Sequence, residues 1–461
     1  MNLSRRGFLV STAAVLAARP ALTKVATPGL ILNASVADVQ LLPENYGKTT
    51  IWGFDATSPG PEIRVRQGAP VQRTLTNNLP QATSVHWHGI RISNAMDGVA
   101  GLTQTAVPPG ASFEYDFVAP DAGTYWYHAH NRSFEQVARG LYGALIVEES
   151  VPLDVDREEV LIFDDWRIDP ETAQIDSEFG ASHDMSHGGR LGNYITTNGI
   201  YNLALDARRN ERLRLRLINA SNARIFALRL EGLDGWTVAL DGMPLVAPQK
   251  VTDTIFLGSA QRVDLIVDVV ADVGETAHIA QVDRDETFSQ VAFEVRSGGT
   301  ATKRGAPVPL PPNPHPVVDL NKARALTLRM EGGAMGGLSS ATLGGEPKTM
   351  REVVDSGRYW AFNGAADGLD GPPLAKLTRG EHIRIAIANE TAFPHVMHLH
   401  GMHFHEISES GRVGPLRDTT LIDRGAEREI AFVADNPGQW LLHCHMLSHA
   451  ASGMCTRIVV A

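Results

Sequence analysis

Apolar residues come along this chain in short, often β-branched runs, broken every few positions by Gly, Pro, Asn or Asp. Long stretches with helical spacing are scarce. That pattern predicts an all-β architecture of sandwiches. The runs also repeat. Arg73–Asn77 (RTLTN), Arg216–Asn219 (RLIN) and Arg384–Asn389 (RIAIAN) each read as a strand ending on Asn. Nine residues past each Asn stand His86-Trp87-His88-Gly89, Leu228-Arg229-Leu230 and His398-Leu399-His400-Gly401. A second element recurs as strands opening from a Gly turn, over Gly110–Phe117, Gly258–Leu265 and Gly425–Phe432. The outer copies continue as GTYWYHAH (123–130) and GQWLLHCH (438–445), with His five residues after Gly in both. One plan is therefore present three times, and the middle copy carries Leu where the outer copies carry His. We place the domains at 27–150, 151–310 and 311–461. The second boundary lies in a Pro-rich stretch, 298–316, that reads as an extended linker.

Composition adds limits. The 461 residues suffice for several domains with cores of their own. The net charge of −11 is spread along the chain without a basic cluster, which argues against nucleic acid as a partner. At the N-terminus, Arg5-Arg6 precedes an apolar run that ends near Ala18 and is too short to span a bilayer. It reads as a twin-arginine export signal over residues 1–26, and so predicts a periplasmic protein. No later run is long enough for a membrane helix. The only cysteines are Cys444 and Cys455, too few for a disulfide framework. Cys455 is expected to be a free buried thiol.

Four His-x-His pairs stand out, at 86/88, 128/130, 398/400 and 443/445. In a strand, residues i and i+2 share a face, so each pair is a two-pronged imidazole donor. The last pair flanks Cys444 in HCHMLSHAASGM (443–454). Cys444 would face one way and His443 and His445 the other. A thiolate, two imidazoles and a weak thioether are the donor set of a blue-copper site. His395, His449 and Met454 supply the remainder around Cys444. One short segment could then join that site to further metals behind it.

The motifs HWHG (86–89), YHAH (127–130), HVMHLHG (395–401) and H-C-H-x3-H-x4-M (443–454) match, in order, those of the multicopper oxidases. The chain resembles that family over its whole mature length. The resemblance implies three cupredoxin-like Greek-key domains and four copper ions. By it, His395, Cys444 and His449 hold the type 1 copper, with Met454 axial. His86 and His398 hold the type 2 copper. His88, His128 and His445 hold one type 3 copper, and His130, His400 and His443 the other. The implied reaction is four one-electron oxidations at the type 1 site coupled to reduction of dioxygen to two waters. Asp97, nine residues after His88, falls where the family carries an acid that delivers protons. Ala450 stands where many bacterial members carry a second acid, so that relay must be replaced.

Two substrate classes fit, Cu(I) and phenols or aromatic amines. The first would suit a role in copper tolerance. The Met-rich insert of bacterial cuprous oxidases is reduced here to Met330 and Met335, and Thr391 and Phe393 occupy positions where those enzymes place Asp and Met. A second soft cluster, Ser182–Gly189 (SHDMSHGG), could bind copper at a loop, but it reads first as a solvated Gly-rich loop. Copper-free structural or cell-division proteins share the fold, but they lack the Cys and most of the His present here. The protein is expected to act as a monomer.

Overall fold

The computed structural model describes residues 30–283, 286–298 and 303–461. The predicted leader lies outside the described residues. Strands fall into three successive groups, each of two main sheets around its own apolar core. The same ladders recur in each group. Leu30–Val39 runs parallel to Pro70–Asn78, Arg157–Trp166 to Arg212–Asn219, and Arg324–Gly332 to His382–Asn389. In the second sheets, Ile63–Arg66 runs parallel to Tyr142–Glu148, Leu203–Arg208 to Glu286–Arg296, and Ala375–Leu377 to Cys455–Val460. The fold is all-β and cupredoxin-like. Its described helices are short, and none is long and apolar enough to cross a membrane.

The recurring Asn has a structural cause. Asn77, Asn219 and Asn389 are buried at strand ends, and each carboxamide oxygen accepts the N–H two residues on, at 3.0, 3.0 and 3.1 Å. Such a side chain mimics a backbone turn and stops the strand. The middle copy of the Gly-opened strand begins later than its spacing predicts, because Gly258–Gln261 is a turn and the strand proper is Arg262–Val269.

Alternation over 212–219 (RLRLRLIN) puts Leu213, Leu215 and Leu217 into the middle core. The opposite face carries Arg212, Arg214 and Arg216, each no more than 2% exposed. That face meets the first group of strands. Arg214 pairs with Glu149 and Asp264 at 2.6 Å, and Arg216 donates to Thr124 Oγ1 at 2.8 Å. The Pro-rich stretch is also more than a spacer. Over 303–318 it has no helix or strand, but Asn313 exchanges two hydrogen bonds with the Ala122 backbone and Leu310 is buried. Cys455 is free but only partly buried, because it opens the strand Cys455–Val460.

Candidate metal centre

Two antiparallel ladders build the centre. Val85–His88 pairs with Gly123–Ala129 so that His86 stands opposite His128. His395–Leu399 pairs with Gly438–Cys444 so that His398 stands opposite His443. Trp87 points into the first core, and Met397 and Cys444 into the third. The flanking imidazoles therefore leave their own cores and meet between the first and third groups of strands. Three of the four His-x-His pairs straddle a strand end. His130, His400 and His445 each follow the last strand residue, which lets their rings turn inward.

The candidate donors gather into compact sets whose nitrogen or sulfur atoms lie within 4.8 Å of one another. These are His86/His88/His398, His88/His128/His445, His130/His400/His443 and His395/Cys444/His449. His400 Nε2 is 3.2 Å from His443 Nε2, and His445 Nε2 is 3.4 Å from His128 Nε2. In the fourth set, Cys444 Sγ lies 3.6 Å from His395 Nδ1 and 3.8 Å from His449 Nδ1, which are 3.1 Å apart. Met454 is fully buried in the same core, and its carbonyl accepts the Cys444 N–H at 3.1 Å.

Each outward nitrogen that is held leaves its opposite nitrogen facing the cluster. His86 Nδ1–H donates to Asp97 O at 2.8 Å, and His398 Nδ1–H to Asp418 O at 2.9 Å. His443 Nδ1–H donates to Cys444 O at 2.9 Å. The Asp97 carboxylate accepts from His400 Nδ1–H at 3.1 Å. On the other side, His88 Nε2 is 3.3 Å from both Asp418 Oδ1 and Thr419 Oγ1. His86 Nε2, His88 Nδ1, His130 Nε2 and His398 Nε2 remain buried without a partner. An unpartnered buried polar atom costs about 1–3 kcal/mol. Several converging on one place fit a cation that takes their lone pairs.

The electrostatics agree. Burial holds the His88, His128, His400, His443 and His445 imidazoles well below their ordinary range and puts His130 at about 3 and His449 at about 4, so these seven are neutral donors at pH 7. Burial pushes the Cys444 thiol up to about 12. A metal cation would displace that proton, since a coordinating thiol is deprotonated. Sulfur with two imidazoles suits copper.

Asp97 lies at the cluster, where the family resemblance placed it, 2% exposed and between His86 and His400. Asp418 occupies the mirror position between His88 and His398, and sequence reasoning missed it. Burial opposes its ionisation, but the Arg262 guanidinium, bonded to both its oxygens, outweighs that and holds its carboxyl well below the usual range. Arg262 belongs to the middle group of strands, so the copy that carries Leu in place of the paired His braces the centre. Nothing in the short run RDT (417–419) signals this. The segment Ser182–Gly189 also departs from expectation. It is not a solvated loop. Ser182–Ser186 is a helical turn with Asp184, Met185 and Ser186 buried, and it packs across the Cys444 site. Ala450, half-buried on the turn Leu447–Ala451, brings no acid to either site.

Multicopper oxidase family profiles match residues 35–151, 157–292 and 346–461. The chain is 31% identical to multicopper oxidase MmcO of Mycobacterium tuberculosis, over 88% of this chain and 82% of that protein. It is 26% identical to a copper resistance protein A homolog of Pseudomonas syringae pv. tomato, over 87% of each. It is 28% identical to laccase-1 of Botryotinia fuckeliana, over 92% of this chain and 81% of that one. The crystal structure of Lac15, from a marine microbial metagenome, superposes with a TM-score of 0.77 at 40% identity. It covers 94% of this chain and 100% of that one. The chain belongs to the multicopper oxidases. It is a copper enzyme that oxidises a reductant with dioxygen as electron acceptor.

Proposed function

We propose that the protein is a four-copper oxidase whose residues divide as the family motifs imply. His395, Cys444, His449 and Met454 would hold the type 1 ion. His86 and His398 hold the type 2 ion. His88, His128 and His445 hold one type 3 ion, and His130, His400 and His443 the other. The observation that carries this is the position of His443-Cys444-His445, whose three side chains enter three different donor sets. Copper, when bound, supplies one-electron transfer and the reduction of dioxygen to two waters. The chain does the remainder. The Cys444 peptide links a sulfur donor directly to two cluster imidazoles. Asp97 and Asp418 orient four of the eight cluster rings, and such outer partners set ring direction and basicity. Asp97 delivers protons at its carboxylate. Asp418, kept ionised by Arg262, positions rings instead. Three domains bounded near 150 and 310 form one monomer, which the twin-arginine leader sends to the periplasm.

The reductant is a one-electron donor, Cu(I) or a phenol or aromatic amine, with copper tolerance as the physiological role. Relatives named for copper resistance and for laccase activity support the two classes. Oxygen uptake by the copper-loaded enzyme tests this, run in parallel with Cu(I) and with a dimethoxyphenol, each with and without added Cu(II). Turnover of Cu(I), with phenol oxidation dependent on added copper, is the expected result. Phenol turnover indifferent to copper would make the protein a laccase. Absence of uptake with both donors would overturn the substrate classes.

Removing the Asp418 charge tests the bracing. Asp418→Asn is expected to weaken copper retention by roughly 10–100-fold. It also leaves Arg262 short of its bidentate partner inside the protein. Chelator titration followed by copper analysis reads the first effect, and thermal unfolding of the copper-free variant reads the second. Unchanged retention would remove Asp418 from the outer shell.

A further inference from the structure

Both imidazoles beside Cys444 are closed to solvent. His395 and His449 are each 0% exposed. His395 Nε2–H donates to Thr391 Oγ1 at 2.8 Å, and that hydroxyl donates to Asn389 Oδ1. His449 Nε2–H donates to the His187 carbonyl at 2.7 Å. Trp360 covers both rings, at 5.0 Å from His395 and 4.5 Å from His449 between centroids. An organic donor that must touch an open imidazole edge finds none.

The cover itself has donors. The turn Ser182–Ser186 is pinned on three sides. Asp184 accepts two hydrogen bonds from Arg167, at 2.8 and 2.9 Å. Met185 O accepts from Trp360 Nε1 at 2.6 Å and from Ser452 Oγ at 3.0 Å. Ser186 O accepts the Ala334 N–H at 2.7 Å. On this fixed turn the His183 and His187 rings stack at 4.2 Å and 10°. His183 is exposed and His187 half-buried. Ser186 Oγ sits 2.9 Å from His187 Nδ1, which reserves Nε2 for a ligand. His187 caps the turn, its N–H donating to the His183 carbonyl at 3.0 Å, so the two His stand four residues apart, a spacing known from metal sites. Met335, next to the tethered Ala334, is 80% exposed and offers a thioether. A large apolar side chain so exposed on a tied-down loop has no packing role.

We infer that His183 and His187, joined by Met335 from the loop whose Ala334 N–H is held by Ser186 O, form a docking site for Cu(I) as substrate, and that electrons pass from it through the His187 carbonyl to His449. Imidazole and thioether are the donors that favour this soft ion. The route is short, running from the His187 ring along its own side chain to the carbonyl and across one hydrogen bond to Nε2. Each Cu(I) loses one electron and leaves as Cu(II). Four such electrons with four protons turn one dioxygen into two waters. This rests on the type 1 assignment proposed above.

Silver(I), which matches Cu(I) in charge and softness but is not oxidised, tests the site on the copper-loaded enzyme. The wild type is expected to bind Ag(I) in a calorimetric titration. The variant His183→Ala/His187→Ala is expected to bind it at least about tenfold more weakly. Its KM for Cu(I) should rise by a similar factor while its blue absorption stays, because His187→Ala keeps the backbone carbonyl. The exposed single variant His183→Ala, which disturbs no buried contact, should show a smaller loss of the same kind. Ag(I) affinity or KM unchanged in the double variant would overturn the proposal. So would loss of the blue band in that variant, which would make the pair a structural prop. A wild type with no blue band would instead sink the type 1 assignment, a result the Ag(I) titration does not depend on.

Discussion

Replacing Cys444 by Ser is expected to abolish the blue colour and turnover together, while copper still loads at the eight-histidine cluster. The colour of such a site comes from a copper–thiolate bond, and among the described residues only Cys444 puts a thiol beside His395 and His449. A hydroxyl is nearly isosteric, so the ladder pairing Met397 with Cys444 should survive. Burying the hydroxyl costs about 1–3 kcal/mol, which a chain with three cores can absorb. The cluster rings do not depend on the sulfur, since His443 Nδ1 is held by the residue 444 carbonyl and Ser retains that group. The expected signature is a loss of one copper per chain, no intense visible band and no oxygen uptake. Visible absorption and metal analysis on the same sample check it. An intense blue band in the variant would refute the ligand assignment.

Asp97→Asn should separate the two halves of the reaction. His86 is held by the residue 97 backbone carbonyl, which the substitution leaves in place. The amide oxygen of Asn can still accept from His400 Nδ1. The ring geometry therefore stays, and what is lost is the carboxyl proton. Proton transfer by a positioned side chain contributes roughly 10²–10⁴-fold. Reoxidation of the reduced enzyme by dioxygen should slow by about the lower of these factors. Reduction of the type 1 site by an anaerobic donor should be unchanged, because Asp97 touches none of its donor atoms. Stopped-flow measurement of each half-reaction reads the split. Equal slowing of both would take Asp97 out of the proton path. With Ala450 unable to donate, no acid at that position masks the effect.

What the sequence by itself determined follows from local rules. Side-chain alternation along a strand has a period of two, so His443, Cys444 and His445 were bound to diverge whatever the tertiary fold. The Asn that ends three strands is equally local, a carboxamide closing on an N–H two residues away. These regularities made the triple repeat, the all-β class and the grouping of His candidates legible. Other features depended on contacts far apart in the chain. Asp418 reaches His88, from which its neighbour Thr419 is separated by 331 positions. The His187 carbonyl meets His449 across 262 positions. A run such as SHDMSHGG is polar and Gly-rich in the manner of an exposed loop, and only the packing of one domain on another turns it into a cover. The arginine face of 212–216 makes the same point. Its alternation is that of a half-solvated strand, yet the face is buried because acidic partners from two domains neutralise it. Periodicity states which residues share a face; what that face meets is decided by the docking of the three domains.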